Sequence, residues 1–125
     1  MNLNKVFLVG RLGDDPTERE TAKGETVINF PLATNSGWGD NIKTDWHKVV
    51  AFGKLATGVS GSGISKGQEI LVEGRISYGK YTDRNGVERK SSDIIASKIE
   101  YGSRPKGGGG NDEQMDNTGD PNIPF

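Results

Sequence analysis

Two tryptophans stand where a packed core would not place them, and one has a cation for a neighbour. Trp38 lies in the turn-rich stretch 35–43 (NSGWGDNIK), and Trp46 shares one face of an alternating run with Lys48, Val50 and Phe52. A core face would not hold Lys48. Pointed outward together, Trp46, Lys48 and Phe52 supply flat rings on which unpaired bases can stack, at about 1–3 kcal/mol per base, and a cation for phosphate. Tyr78 and Tyr81, with Lys80 and Arg84, repeat that mixture around a second predicted hairpin. Periodicity alone also allows the opposite arrangement, in which Trp46 and Phe52 are core and Lys48 lays its stem along them.

Catalytic chemistry finds little support. One histidine and no cysteine leave neither a zinc site of ordinary composition nor a Cys–His pair within one chain. Residues 61–66 (GSGISK) lack the last glycine of a dinucleotide cradle, and neither Gly53-Lys54 nor Lys66-Gly67 completes a phosphate-binding loop. Asp14-Asp15, followed by Pro16, reads as a pair of turn formers. His47, on the face of Val49 and Ala51, reads as a packed, hydrogen-bonded side chain. The expectation is a binding protein, not an enzyme, with no metal and no cofactor.

The elements that would position these side chains are short and extended. Residues 3–12 (LNKVFLVGRL) form an apolar run suited to a strand, stopped by the turn at 13–16. Residues 26–34 alternate, with Ile28, Phe30 and Leu32 on one side, and Pro31 within that run predicts an edge or a bulge. Residues 44–52 resume as a strand. The segment 54–66 suits a connecting helix, but Gly58, Gly61 and Gly63 predict one or two frayed turns at most. Residues 68–80 and 87–101 are two further strands joined by residues 82–86 (TDRNG), where Asn85-Gly86 is the strongest short hairpin signal. Five strands with one small helix after the third predict an all-β protein, a five-stranded Greek-key barrel of the OB type with one short connecting helix.

Composition sets the boundaries. The chain has 125 residues, enough for one domain, and 31% of them are apolar. Of 27 Leu, Ile, Val and Phe, 25 precede residue 102, so residues 1–101 form the expected domain and 102–125 a flexible Gly-rich linker with a disordered polar tail. Residues 1–105 carry 15 Lys and Arg against 13 Asp and Glu, and residues 106–125 carry one lysine against four acids. A body so close to neutral requires any polyanion site to be a local patch. No apolar run approaches the roughly 20 residues of a membrane span and the start lacks a secretory signal, so the chain is expected to be soluble and cytoplasmic.

The runs 4–16 (NKVFLVGRLGDDP), Leu32-Ala33-Thr34, 46–56 (WHKVVAFGKLA), Glu73-Gly74-Arg75 and Tyr81-Thr82-Asp83 resemble, in order and spacing, the bacterial and phage single-stranded DNA-binding proteins. The final Ile123-Pro124-Phe125 is similar to that family's C-terminal tip. The resemblance implies an OB-fold homotetramer that binds and protects single-stranded DNA without sequence preference during replication, recombination and repair. It places base-stacking rings at Trp38, Trp46, Phe52 and Tyr81, a basic position at Lys48, and charge on the hairpin arm at Arg75 and Lys80. It implies subunit contacts through the first strand, at Asn4, Val6 and Leu8, and at His47, and docking of replication and repair proteins on Asp120, Ile123, Pro124 and Phe125. The location it implies is the nucleoid, or the host cytoplasm for a phage protein. Tyr81 stands where tryptophan is common, and the tip holds only Asp120 where relatives often cluster acids. The alternatives are a dimeric primosomal replication protein of the same fold and an OB module that binds protein alone.

Overall fold

The computed structural model describes residues 1–103; the docking residues Asp120, Ile123, Pro124 and Phe125 lie outside the described part. Strands β1 (Val6–Leu12), β2 (Thr17–Glu20), β3 (Thr26–Ser36) and β4 (Lys43–Phe52) are followed by helix α1 (Gly53–Ser62), β5 (Glu69–Thr82) and β6 (Glu88–Tyr101). The strands pair in the order β1-β5-β6-β4-β3-β2, and β1 also pairs with β3 at Arg11↔Ala33 and Leu12↔Leu32. That second pairing closes the sheet into a barrel of the OB type, with β2 added outside the ring.

Alternation dictates the interior. Ile28, Phe30 and Leu32 of β3 and Val49 and Ala51 of β4 are buried, as a period of two requires. Leu12, Phe30, Leu32, Val49, Ile70, Val72 and Ile94 form the main core. A smaller cluster of Ile28, Ala51, Ala56 and Val59 lies beneath α1.

The structure departs from the sequence reading at several places. There are six strands among the described residues, not five. The additional β2 (TERE) is exposed throughout and carries no apolar signal; it is extended because β3 offers it an edge, from Thr17↔Asn29 to Glu20↔Thr26. Pro31 stands where that edge passes from β2 to β1, pairs with Lys48 on its other side without a bulge, and accepts a hydrogen bond from the Gly13 amide at 2.9 Å. The first strand starts at Val6, not at residue 3.

The helix is longer than its glycines predict. It runs ten residues, because Ala56 and Val59, three apart, bury one stripe on the barrel. Burying a valine is worth about 1.5–3 kcal/mol, which offsets roughly 1 kcal/mol for each of Gly58 and Gly61. A left-handed Gly63 (φ 73°) ends it.

The long β5–β6 hairpin turns at Asp83-Arg84-Asn85-Gly86, within the expected connection. Gly86 takes the left-handed conformation and its amide donates to Asp83 O at 3.0 Å. Asp83 Oδ1 accepts the Asn85 and Val87 amides at 2.9 and 3.0 Å, which leaves Asn85 without a positive φ. At the barrel's other end, Gln68 is the buried polar residue among the described ones. Its Nε2 donates to the Gly102 and Ser103 carbonyls at 3.0 and 3.2 Å, holding the chain where it leaves β6.

Candidate nucleic-acid interface

Strand β4 carries the outward face as a direct consequence of its alternation. Val49 and Ala51 are 0% exposed, so Trp46, Lys48 and Phe52, out of phase with them, lie on the opposite face, where Val50 is also buried. Trp46 is 62% exposed and Phe52 42%, so neither ring is core, and Lys48 lies between them. The core arrangement of these rings is thereby excluded. Trp38 is exposed as well, at the entry to a single turn of 3-10 helix (Gly39–Asn41) beyond the β3 end.

Two grooves flank Lys48. One, of about 420 Å³, is lined by Lys48, Val50 and Phe52 of β4, Asp93 and Ile95 of β6, and Arg19 beside β3. The other, of about 180 Å³, lies between Trp46, His47 and Lys48 on one side and Ile76, Tyr78, Ser92 and Ile94 on the other. It exists because β4 and β6 pair only at Val49↔Ile94 and Val50↔Ile95, beyond which the β3–β4 and β5–β6 hairpins splay apart. A third groove, of about 320 Å³, continues along the second hairpin past Tyr78, Gly79, Lys80 and Lys90. Lys48 is shared by the first two and Tyr78 by the last two, so the three follow one another across the sheet. The chemistry along them is aromatic, apolar and cationic, with Asp93 and Glu20 as the acids.

The structure does not bring all the predicted residues onto one surface. The register row Val50–Ile95–Arg75 sets Arg75 on the outer face, and alternation carries Tyr81 with it. Tyr78 and Lys80 fall on the opposite face of the same strand, with Ile76 and, across the pair, Lys90. Trp38, Arg75, Tyr81 and Arg84 stand outside the three grooves. Lys90, Arg19, Val50 and Ile95 line them without having been singled out. For Lys90 the signal was available, since a hairpin turning at residues 83–86 puts it directly opposite Lys80.

His47 faces inward from β4, partly buried, with Nε2 2.8 Å from Thr34 Oγ1. Val6 and Leu8 also turn inward and pack against the core. The exposed apolar side of β1 is Phe7 and Val9, with the Lys5 ammonium 5.7 Å from the Phe7 ring centre. Asn4 sits beside β5, donating to Ile76 O at 2.8 Å and accepting from the Ile76 amide at 3.0 Å. At the arm tip, Arg89 Nε donates to Asp83 Oδ2 at 3.0 Å. That guanidinium, helped by the Val87 amide, holds the Asp83 carboxyl below the usual carboxylate value.

The model of the single-strand binding protein family matches residues 3–101. Single-stranded DNA-binding protein 1 of Chlorobaculum tepidum is 38% identical over 117 residues, covering 88% of this chain and 72% of that protein. The single-stranded DNA-binding protein of Neisseria meningitidis is 40% identical over 116 residues, 88% of this chain and 66% of its own. That of Xanthomonas campestris is 43% identical over 111 residues, 84% and 64%. This chain thus spans about two thirds of the length of these relatives. A solved Plasmodium falciparum SSB in complex with single-stranded DNA superposes with a TM-score of 0.74 at 29% identity, covering 82% of this chain and 97% of that one.

Proposed function

Because the chain belongs to the single-strand binding protein family, we propose that it binds single-stranded DNA without sequence preference across the three successive grooves, protecting it during replication, recombination and repair. The observation that carries this reading is the outward Trp46–Lys48–Phe52 row, backed by the fully buried Val49 and Ala51. Exposed rings on either side of a cation, held on a rigid core, suit bases and phosphates, which use both components. Trp46, Phe52 and Tyr78 stack on bases along the grooves, Lys48, Lys80 and Lys90 meet phosphates, and Trp38, Arg75, Tyr81 and Arg84 extend the path beyond them. Titration with oligo(dT) tests this: the two indoles are quenched on binding, and an unchanged emission with no retention of the oligonucleotide defeats it. The family's members bind DNA without catalysis, in keeping with a face built of rings and cations.

The oligomer follows from β1. From Val6 to Gly10 the strand pairs with β5 on one side only, and among the described residues no strand pairs its other edge. An open apolar edge bearing Phe7 and Val9 templates association, and a closed homotetramer satisfies it. Its contacts run through the strand backbone and these two side chains more than through the inward Val6 and Leu8, with Asn4 and His47 taken from the family resemblance. Light scattering at micromolar concentration checks the mass, with a monomer sinking the proposal and a dimer favouring the primosomal type. Residues 1–101 serve as the binding domain. Residues 102–125 act as linker and partner-docking tail, with Asp120 and the Ile123-Pro124-Phe125 end as the handle for replication and repair proteins. Deleting residues 118–125 leaves DNA binding equal or slightly raised and abolishes capture of those partners; retained capture overturns the tail assignment.

A further inference from the structure

Gly13 follows the last residue of β1, and its φ is not in the left-handed region, so its backbone would accept any L residue. What it does not accept is volume. A Cβ built there would lie 2.2 Å from Cζ3 and 2.8 Å from Cη2 of Trp46. A Cβ at Gly10, Gly37 or Gly74 would instead strike a backbone carbonyl, that of Ala33, Asn41 or Ile95, and one at Gly102 would meet the Glu69 carboxylate; of these obstacles only the one at Gly13 is an aromatic ring. At Gly13 the obstacle is the free end of a side chain 62% exposed to solvent, which can swing aside while the barrel stays as it is. The ring and the missing side chain are brought together by the barrel closure. Arg11, Ala33 and Trp46 form one register row across β1, β3 and β4, and the Gly13 amide is tied to Pro31 O at 2.9 Å.

We infer that Gly13 is a positioning residue for nucleic-acid binding: its missing side chain is the seat in which the benzo ring of Trp46 rests, and that seat fixes where the ring presents its stacking surface. The inference rests on the reading that Trp46 stacks on bases. A ring held against backbone has lost its rotational freedom before the strand arrives, so less entropy is given up on binding. A ring pushed off by a methyl group must be reordered by the base itself.

The test is a double-mutant cycle on the full chain with Gly13→Ala and Trp46→Ala, read by oligo(dT) affinity, with urea midpoints recorded alongside. Gly13→Ala weakens binding at least about fivefold, the lower end of what one stacked base contributes, with little change in the midpoint. In the Trp46→Ala background the same substitution changes affinity less than about 1.5-fold, since a seat without its ring has nothing to position. Equal losses in both backgrounds, or no loss in the first, overturn the inference. A second arm needs no DNA: in Trp38→Phe, where Trp46 is the sole tryptophan, Gly13→Ala shifts the emission maximum or lowers the anisotropy of the free protein. Unchanged emission and anisotropy overturn the seat directly. If the parent protein fails to bind oligo(dT), the DNA reading fails while this arm still decides the seat.

Discussion

Strand β4 and the β5–β6 arm carry the same chemical ingredients on different foundations. On β4, Trp46, Lys48 and Phe52 alternate with side chains sealed in the core, so one face is outward and the other has no freedom. On the arm beyond Ile76, both faces meet solvent: Tyr81 stands on one and Tyr78 and Lys80 on the other. A strand with one buried face specifies which way its rings point, whereas a two-stranded ribbon with two wet faces does not. On the proposed reading the β4 face is the main stacking platform, and the arm adds Tyr78 together with charge and reach.

The largest expected loss comes from removing what lies under the β4 face. Phe30, buried and paired with Val49 on β4, is expected to cost about 3–5 kcal/mol of stability on replacement by alanine. Tyr81→Ala on the arm should stay within about 0.5 kcal/mol of the parent in urea melts. Equal losses would show that the arm is as much a part of the cooperative unit as β4. Next comes binding itself. Trp46→Ala should weaken oligo(dT) binding by about 1–3 kcal/mol per contacting base, and Tyr78→Ala or Tyr81→Ala by about 1 kcal/mol or less. A larger loss at either tyrosine would move the platform onto the arm.

Salt dependence sharpens the division. Replacing Lys80 and Lys90 together by glutamine should reduce the slope of log K against log salt by roughly 1.4, two contacts at about 0.7 each, with Trp46→Ala leaving the slope unchanged. The smallest effect is at the arm tip. The folded-state pKa of Asp83 lies below its unfolded value, so its contribution is present above the unfolded value near 3.8 and is lost as pH falls through the folded one. Hydrogen exchange at the Asn85 and Val87 amides should therefore quicken in that acid range before the barrel amides do. Asp83→Asn should remove that pH dependence.

The platform was legible in the sequence because alternation is local. Val49 and Ala51 settle the orientation of Trp46, Lys48 and Phe52 as soon as one face is known to be buried. The faces of the arm were legible in principle, since Tyr78 and Tyr81 are three apart and a period of two separates them. What could not be read locally was set by partners elsewhere in the chain. The polar β2 is a strand only because β3 offers an edge, α1 is held by Ile28 and Ala51, and Phe7 rather than Leu8 is exposed because the barrel lies on the Leu8 side. The seat at Gly13 belongs to the same class, since nothing near Gly13 in sequence announces an indole 33 positions away.

The short parallel seam between β4 and β6 also orders events in time. Each flanking hairpin zips from neighbouring residues, but Val49↔Ile94 and Val50↔Ile95 join segments separated by all of α1 and β5. Closing that span must overcome loop entropy before two residue pairs repay it, so the seam is expected to form after the hairpins and to govern the folding rate. The groove of Lys48, Val50, Asp93 and Ile95 straddles the seam. A nascent chain with both hairpins in place would thus still lack the grooves at Lys48, and on the proposed reading the central part of the DNA path would be completed only in the last step of folding.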